Sequence, residues 1–181
     1  MKWEIIVFGI VVLVVGASLA FGYFALVDAY RGRVRKGELE RAIADLDEAI
    51  RLDPKNANAY NDRGNSYTNK GRYDRAIADY DEAIRLDPKN ANAHSNRGLA
   101  HYCKGDYVRA IADLDEAIRL DPKKANLYRN RSLVYDVWGG VGRGNDDYDE
   151  AIRLDPKIDD NEPMLLGSND EAIPLEPIRS R

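Results

Sequence analysis

Side chains that could bind a metal ion cluster near the middle of the chain. His94 and His101 are seven residues apart, which places both on one side of a helix, and Cys103 follows closely. Imidazole and thiolate groups are favoured zinc ligands, but a structural zinc site needs four that converge. Cys103 lies two residues from His101 and therefore points away from that side. We predict that both histidines are packing residues and that the chain holds no metal ion and no other cofactor.

A repeated acidic triplet is the second set of reactive side chains, and Asp79, Asp81 and Glu82 form one copy of it. Clustered carboxylates suggest cation binding, but the spacing of a calcium-binding loop is absent. Arginines stand four residues before or after the aspartates, so each helix could form its own ion pairs on an exposed face. The predicted pairs are Arg41–Asp45, Arg75–Asp79, Arg109–Asp113, Asp47–Arg51, Asp81–Arg85 and Asp115–Arg119. We therefore predict a solvated helix surface at these positions.

Groups for catalysis or for nucleic-acid binding are missing from the sequence. The glycine-rich run at residues 139–144 lies between helical segments and lacks the lysine–serine ending of a phosphate-binding loop. No serine, cysteine or lysine has a base at a recognisable spacing. The chain has a net charge of −4, and this acidic balance argues against nucleic acid as a partner, because phosphate binding requires a basic surface. We predict a protein that is not an enzyme and does not bind nucleic acid.

The N-terminal segment has the composition of a membrane anchor. Residues 5–27 carry no charged side chain and are long enough, as a helix, to cross a bilayer. The basic cluster at residues 31–36 places the remainder of the chain in the cytoplasm by the positive-inside rule. We predict a single-pass transmembrane anchor at residues 1–30. The alternative is a cleaved signal peptide, with small residues at Ser18 and Ala20, which would make this an exported repeat protein.

An internal repeat of 34 residues organises the rest of the chain. Residues 41–74 and 75–108 are identical at 23 positions. The string AIRLDPK begins at Ala49, Ala83, Ala117 and Ala151. Within a unit, Ala57, Tyr60, Gly64 and Tyr67 form the stripe of a first helix, and Ala76, Ile77, Tyr80, Ala83 and Ile84 form the stripe of a second. Gly71 suits the left-handed end of the first helix, and Asn90 suits the N-cap of the next unit.

This pattern resembles the tetratricopeptide repeat family, in register as well as in length. The family's large–Gly–Tyr positions fall on Tyr60, Gly64 and Tyr67, and its Ala–aromatic–Ala and proline positions fall on Ala76, Tyr80, Ala83 and Pro88. The resemblance implies an all-α fold, a right-handed solenoid of about three and a half helical hairpins following the transmembrane helix. The repeats would fill residues 31–157, in units of about 23–56, 57–90, 91–124 and 125–158, with the first and last degenerate.

The last unit and the tail depart from the pattern. Ser132 stands where glycine is usual, and the glycines of residues 139–144 replace the small–apolar pair that opens a second helix. Because interior glycines weaken a helix, we expect this turn to be frayed or irregular. Residues 158–181 contain Pro163, Pro174 and Pro177, and we predict an irregular tail without an obvious polar cap.

The resemblance also places the ligand-facing positions on the first helix of each unit. Carried over position by position, they fall on Asn58, Asn61, Asn65, Asn69, Asn92, Ser95, Asn96, Asn126, Arg129 and Asn130. These ten residues are called the groove row below. Short amides suit hydrogen bonds to an extended peptide, although asparagine also suits helix starts and solvated faces. The family's carboxylate-clamp subtype uses lysines here, and Asn58, Asn61 and Asn126 stand at or near those positions, so we do not predict its chaperone ligand.

The prediction that follows is a membrane-anchored protein-interaction scaffold. Its groove would bind a peptide or protein partner, and residues 5–27 would hold it to the membrane. The alternatives are a structural subunit that self-associates through its uncapped C-terminal repeat, or a secreted repeat protein if the N-terminal segment is cleaved.

Overall fold

The computed structural model describes residues 37–158, 165–166 and 171–172. The chain divides into two compact units, residues 1–41 and residues 42–181, and the described part of the first unit, residues 37–41, is helical. The predicted transmembrane anchor at residues 1–30 lies outside the described residues. Within the described residues, no helix combines the length and the apolar character needed to cross a bilayer.

The described residues form seven helices and one very short strand pair. Helix α1 covers residues 37–52. It is followed by α2 (Ala57–Asn69), α3 (Tyr73–Leu86), α4 (Ala91–Cys103), α5 (Tyr107–Leu120), α6 (Ala125–Trp138) and α7 (Val141–Leu154). Helices α2 and α3, α4 and α5, and α6 and α7 pack as successive hairpins, and α3 also packs on α4 and α5 on α6. The all-helical array of hairpins agrees with the predicted fold class.

The helix ends form for the reasons read from the sequence. The Asn56 and Asn90 side chains accept hydrogen bonds at 3.1 Å from the backbone N–H of Ala59 and Ala93, which satisfies a donor in the first turn of α2 and α4. Gly71 takes a φ of 68° just after α2, a conformation that favours glycine. These contacts confirm the predicted capping roles of Asn90 and Gly71.

The helices of a hairpin approach closely where small residues face each other. A Cβ added to Gly64 would lie 2.5 Å from the ring of Tyr80, which is completely buried. Ala76 is also fully buried beside Tyr80. The second hairpin repeats the arrangement, since a Cβ on Gly98 would lie 3.0 Å from the carbonyl oxygen of Ala110. Small residues at these positions therefore permit the close packing of the two helices.

The prediction of a frayed turn at the start of the last second helix is wrong. Helix α7 begins at Val141 and runs without a break. A Cβ on Gly144 would lie 3.3 Å from the carbonyl oxygen of Ser132, so the glycine occupies the close contact that Gly98 makes in the preceding hairpin. In the preceding hairpin the glycine, Gly98, is on the first helix and faces Ala110 on the second. In this hairpin the first helix has the larger residue, Ser132, and the second helix has the glycine, Gly144, which keeps the helices close.

A two-residue antiparallel ladder follows the array. Strand β1 (Leu165–Leu166) pairs with β2 (Glu171–Ala172), with Leu165 opposite Ala172 and Leu166 opposite Glu171. Strand β1 lies against α4. Nothing in the repeat pattern predicted this ladder.

Candidate functional site

The groove row lies on three neighbouring helices, α2, α4 and α6. Its members differ in exposure. Asn58 is exposed, and Asn69, Asn92 and Asn126 are half-buried. The other six are buried: Asn61, Asn65, Ser95, Asn96, Arg129 and Asn130. Most of the groove row therefore consists of buried polar side chains between the helices. Its more accessible members lie on the first turns of the helices and at the end of α2.

A hydrogen-bond network joins the buried asparagines of the first two hairpins. The Nδ2 of Asn96 donates to the Oδ1 of Asn61 at 3.0 Å and to the Oδ1 of Asn65 at 2.9 Å. Tyr80 donates its hydroxyl hydrogen to the same oxygen of Asn65 at 2.9 Å, and Thr68 lies 3.1 Å from the Tyr80 hydroxyl. Burial raises the pKa of Tyr80 far above its usual range, although the bond with Thr68 opposes the shift. This network fixes how α4 sits against α2 and α3.

The buried polar contacts continue less regularly between α4 and α6. The Nδ2 of Asn130 reaches the Oγ of Ser95 at 3.5 Å, and the Nζ of Lys124 donates to the Oδ1 of Asn92 at 2.5 Å. Among the residues that the structure describes, none donates a hydrogen bond to the amide oxygen of Asn96, although that residue is fully buried. Because Asn96 is fully buried, its amide contributes to packing between the first two hairpins.

A ladder of arginine–aspartate pairs, not foreseen from the sequence, links each hairpin to the preceding one. Arg63 of α2 binds Asp79 of α3 through two nitrogens, at 2.6 and 2.9 Å, and Asp47 of α1 through the third, at 2.6 Å. Arg97 repeats this with Asp113 and Asp81, and Arg131 repeats it with Asp147 and Asp115. The bond to Asp79 raises the pKa of Arg63, which burial opposes. We call this set the arginine ladder.

The predicted pairing within single helices is wrong for five aspartates, which are Asp47, Asp79, Asp81, Asp113 and Asp115. Asp79 and Asp113 are buried and bind Arg63 and Arg97 of the neighbouring helix, so they do not lie on a solvated face. The arginines at the helix ends pair instead with a glutamate three residues earlier, as Arg85 does with Glu82 at 2.5 Å. The aspartates therefore join helices, whereas each glutamate pair stays within one helix on its exposed surface.

The histidines occupy packing positions. The Nε2 of His94 lies 3.3 Å from the carbonyl oxygen of Pro88, and the Tyr128 hydroxyl makes the same contact with Pro122 one repeat later. His101 is buried with its Nε2 4.0 Å from Asp113. Burial lowers the pKa of His101 despite the nearby Asp113 carboxylate. In the described part of the chain, no three His, Cys, Asp or Glu side chains are grouped to hold a metal ion.

Comparison with known families bears out the repeat assignment. The family model described as TPR repeat matches residues 33–71 and 64–105, and the model described as tetratricopeptide repeat matches residues 91–124. Together these matches span residues 33–124, more than half of the chain. The chain belongs to the tetratricopeptide repeat family. A comparison with curated proteins finds no match to this repeat protein.

Solved structures of other tetratricopeptide proteins share the fold. A crystal structure of MamA is 28% identical, with a TM-score of 0.61, over 67% of this chain and 71% of MamA. The first TPR of Spaghetti (RPAP3), bound to the HSP90 peptide SRMEEVD, is 25% identical, with a TM-score of 0.55, over 56% of this chain and 81% of that one. The human RPAP3 domain solved by NMR is equally similar, at 25% identity and a TM-score of 0.55, over 56% and 80%. Proteins of this family are generally non-enzymatic, and this chain is a protein-interaction scaffold.

Proposed function

We propose that the chain binds an extended segment of a protein partner along the groove row, and that its N-terminal segment holds this site at a membrane. The observation that carries the binding proposal is the row of accessible amide side chains on the first turns of α2, α4 and α6, which are those of Asn58, Asn92 and Asn126. The backbone of a bound peptide would form hydrogen bonds with these amides. The structure of the first TPR of RPAP3 with a bound HSP90 peptide supports peptide binding by a domain of this fold.

The side chains of the groove row favour recognition of a peptide backbone. Asparagine offers both a donor and an acceptor, which match the alternating N–H and C=O groups of an extended chain. Asn58, Asn61 and Asn126 stand at or near the positions where a carboxylate clamp would have lysines. We therefore propose a ligand held by its main chain, in which side-chain charge is a minor determinant.

Self-association is the second candidate function, and exposed apolar side chains at the end of the array favour it. Val137 and Trp138 end α6 with exposed fractions of 49% and 51%. Exposed apolar residues on a terminal repeat suit contact with a second copy. Light scattering of the full chain in detergent separates the two candidates, since a monomer at all concentrations would count against assembly.

Photo-crosslinking in the native membrane tests the proposed groove. A photo-reactive residue replaces Asn126, which is half-buried in the groove row, in the full-length protein. The matched control carries the same residue at the exposed Ala78 of α3. We expect a discrete adduct with another protein from position 126 and none from position 78. Equal adducts from both positions, or an adduct only with a second copy of the chain, would contradict the groove proposal.

A further inference from the structure

The middle of the three complete hairpins has a histidine at a position where the other two have a tyrosine that contacts an arginine. Tyr67 in the first and Tyr135 in the third each lie beneath an arginine of the following helix, with Arg75 5.7 Å and Arg143 5.8 Å from the ring centres. These distances are those of cation–π contacts. The corresponding residue of the middle hairpin is His101, and the corresponding arginine is Arg109. A smaller imidazole therefore stands where the neighbouring hairpins have a phenol.

A cavity of about 330 Å³ lies beside His101, between α3, α4 and α5. Six of its seven lining residues have the same residue type 34 positions earlier; they are Ile77, Asp81, Arg97, Arg109, Ala112 and Asp113. The seventh is His101, which corresponds to Tyr67. The six other lining residues have the same types one repeat earlier. There, a phenol ring, that of Tyr67, lies beneath an arginine, so residues of these types accept a phenol.

The charges around the cavity favour a neutral ligand. Arg97 already binds Asp113 and Asp81 at 2.6 Å each, so both carboxylates have a cationic partner. Arg109 pairs only loosely with Asp106, at 3.4 Å, and its side chain is 73% exposed. It is therefore able to move over a ring without breaking a buried contact. An anion would meet the two aspartates, and a cation would meet the two arginines, whereas an aromatic ring avoids both conflicts.

We propose that this cavity binds a tyrosine side chain of a partner protein, which supplies the phenol ring that the flanking hairpins have and the middle hairpin lacks. The ring lies against Ile77 and beneath the Arg109 guanidinium, and the hydroxyl faces the polar side of the cavity near Asp113. This site shares no residue with the groove row. Loss of one site therefore leaves the other intact, and the two proposals can fail separately.

The soluble analogue N-acetyltyrosinamide tests the site on the full chain in detergent, with N-acetylleucinamide as the matched ligand control. Binding is followed by saturation-transfer NMR on the ligand and by the imidazole signals of the two histidines. We expect saturable binding of the tyrosine analogue, a shift of the His101 signal and no shift of the His94 signal. No response, or an equal response to the leucine analogue, would overturn the proposal.

Three variants sharpen the test, and circular dichroism verifies that each is folded. His101→Tyr fills the cavity with the residue of the flanking hairpins, and Ala112→Trp blocks it from an exposed wall position. Each should weaken binding at least tenfold. Tyr67→His copies the middle hairpin into the first and should add a second binding site. Unchanged binding in both blocking variants would contradict the proposed location.

Discussion

At the residue scale, Gly64 sets the distance between α2 and α3. A methyl group there would lie 2.5 to 2.9 Å from three ring atoms of Tyr80, and that ring is fully buried and hydrogen-bonded at its hydroxyl. The ring cannot move aside without breaking the network at Asn65. We expect Gly64→Ala to lower the free energy of unfolding by about 1–3 kcal/mol, the usual cost of overpacking. Urea denaturation followed by circular dichroism measures this loss.

Gly142→Ala is the matched control for that substitution. Gly142 is an exposed glycine within α7, and an added Cβ would meet nothing within 4 Å. The same change should therefore raise stability by about 0.5–1 kcal/mol, through helix propensity alone. If both variants shifted the urea midpoint in the same direction, packing against Tyr80 would not explain the need for glycine at position 64.

His101 should make stability depend on pH. Burial lowers its pKa in the folded chain, with Asp113 and Asp106 opposing and Arg109 and Arg97 adding to the shift. The unfolded chain, where the pKa of histidine is about 6.5, then binds a proton more readily than the folded chain. The contribution of the neutral imidazole is complete above that pH and is lost as the pH falls below it.

The comparison that isolates this effect is between the natural chain and His101→Tyr, which carries the residue of the flanking repeats. Melting temperatures measured across the acidic range should fall more steeply for the natural chain as the pH decreases. The carboxylates titrate in both proteins, so their contributions to the pH dependence of the melting temperature cancel in the comparison. Parallel profiles would mean that His101 protonation does not distinguish the folded chain from the unfolded one.

The asparagines of the groove row show what residue types alone could predict. Sequence spacing placed Asn61, Asn65 and Asn96 on the first helices of their units, and the structure places them there. The spacing could not predict their hydrogen-bond partners, because Asn96 forms hydrogen bonds with residues 31 and 35 positions away. Which amide turns inward depends on how two hairpins stack, and a one-dimensional spacing does not contain that information.

At the element scale, each arginine of the arginine ladder lies on the first helix of a hairpin. It binds the second helix of its own hairpin and the helix that precedes that hairpin. Arg97 bridges Asp81 of α3 and Asp113 of α5, and Asp113 is buried. Arg97→Gln would leave that carboxylate inside without its cation. We expect a loss of about 3 kcal/mol in the free energy of unfolding, the low end for a broken buried pair, because Asp81 is exposed. Urea denaturation at neutral pH measures it.

Arg85→Gln removes the same charge from an exposed pair. Arg85 binds Glu82 three residues away on the surface of α3. Such pairs contribute little because solvent screens them. The urea midpoint of this variant should stay close to that of the natural chain. A similar loss in both variants would show that net charge, rather than the bridge between helices, determines the effect.

The sequence contains a spacing that indicates the arginine ladder, although the rule for pairs within a single helix predicts other partners. Arg63, Arg97 and Arg131 each stand 16 residues after one aspartate and 16 before another. The same aspartates also stand four residues from other arginines, as Asp79 does from Arg75, and a spacing of four within one helix predicts a pair without any knowledge of packing. Only the hairpin geometry decides between the two, since it brings residues 16 positions apart into contact.

At the scale of the whole molecule, the 34-residue period determined most of the fold in advance. Pro88 and its equivalents, the helix stripes and the terminal glycines placed six hairpin helices. Strand β1 against α4 was not predictable, because the tail shares no period with the repeats. The same limit explains α7, where position-by-position comparison detected the glycines but not that Gly144 and Ser132 compensate for each other.

Because the arginine ladder connects each hairpin of residues 57–154 to the helix before it, these hairpins should unfold as one cooperative unit. Stability in repeat proteins is a sum of repeat and interface contributions, and strong interfaces couple neighbouring units. Trp138 lies at the end of α6 and reports on the last hairpin, whereas circular dichroism reports on all helices.

In a Trp3→Phe background, the urea transitions seen by Trp138 fluorescence and by circular dichroism should coincide. In Arg97→Gln they should separate, because the joint between the first two hairpins is weakened while Arg131 still binds Asp115 and Asp147. Separate transitions in the natural chain would contradict a role for the ladder in coupling the repeats.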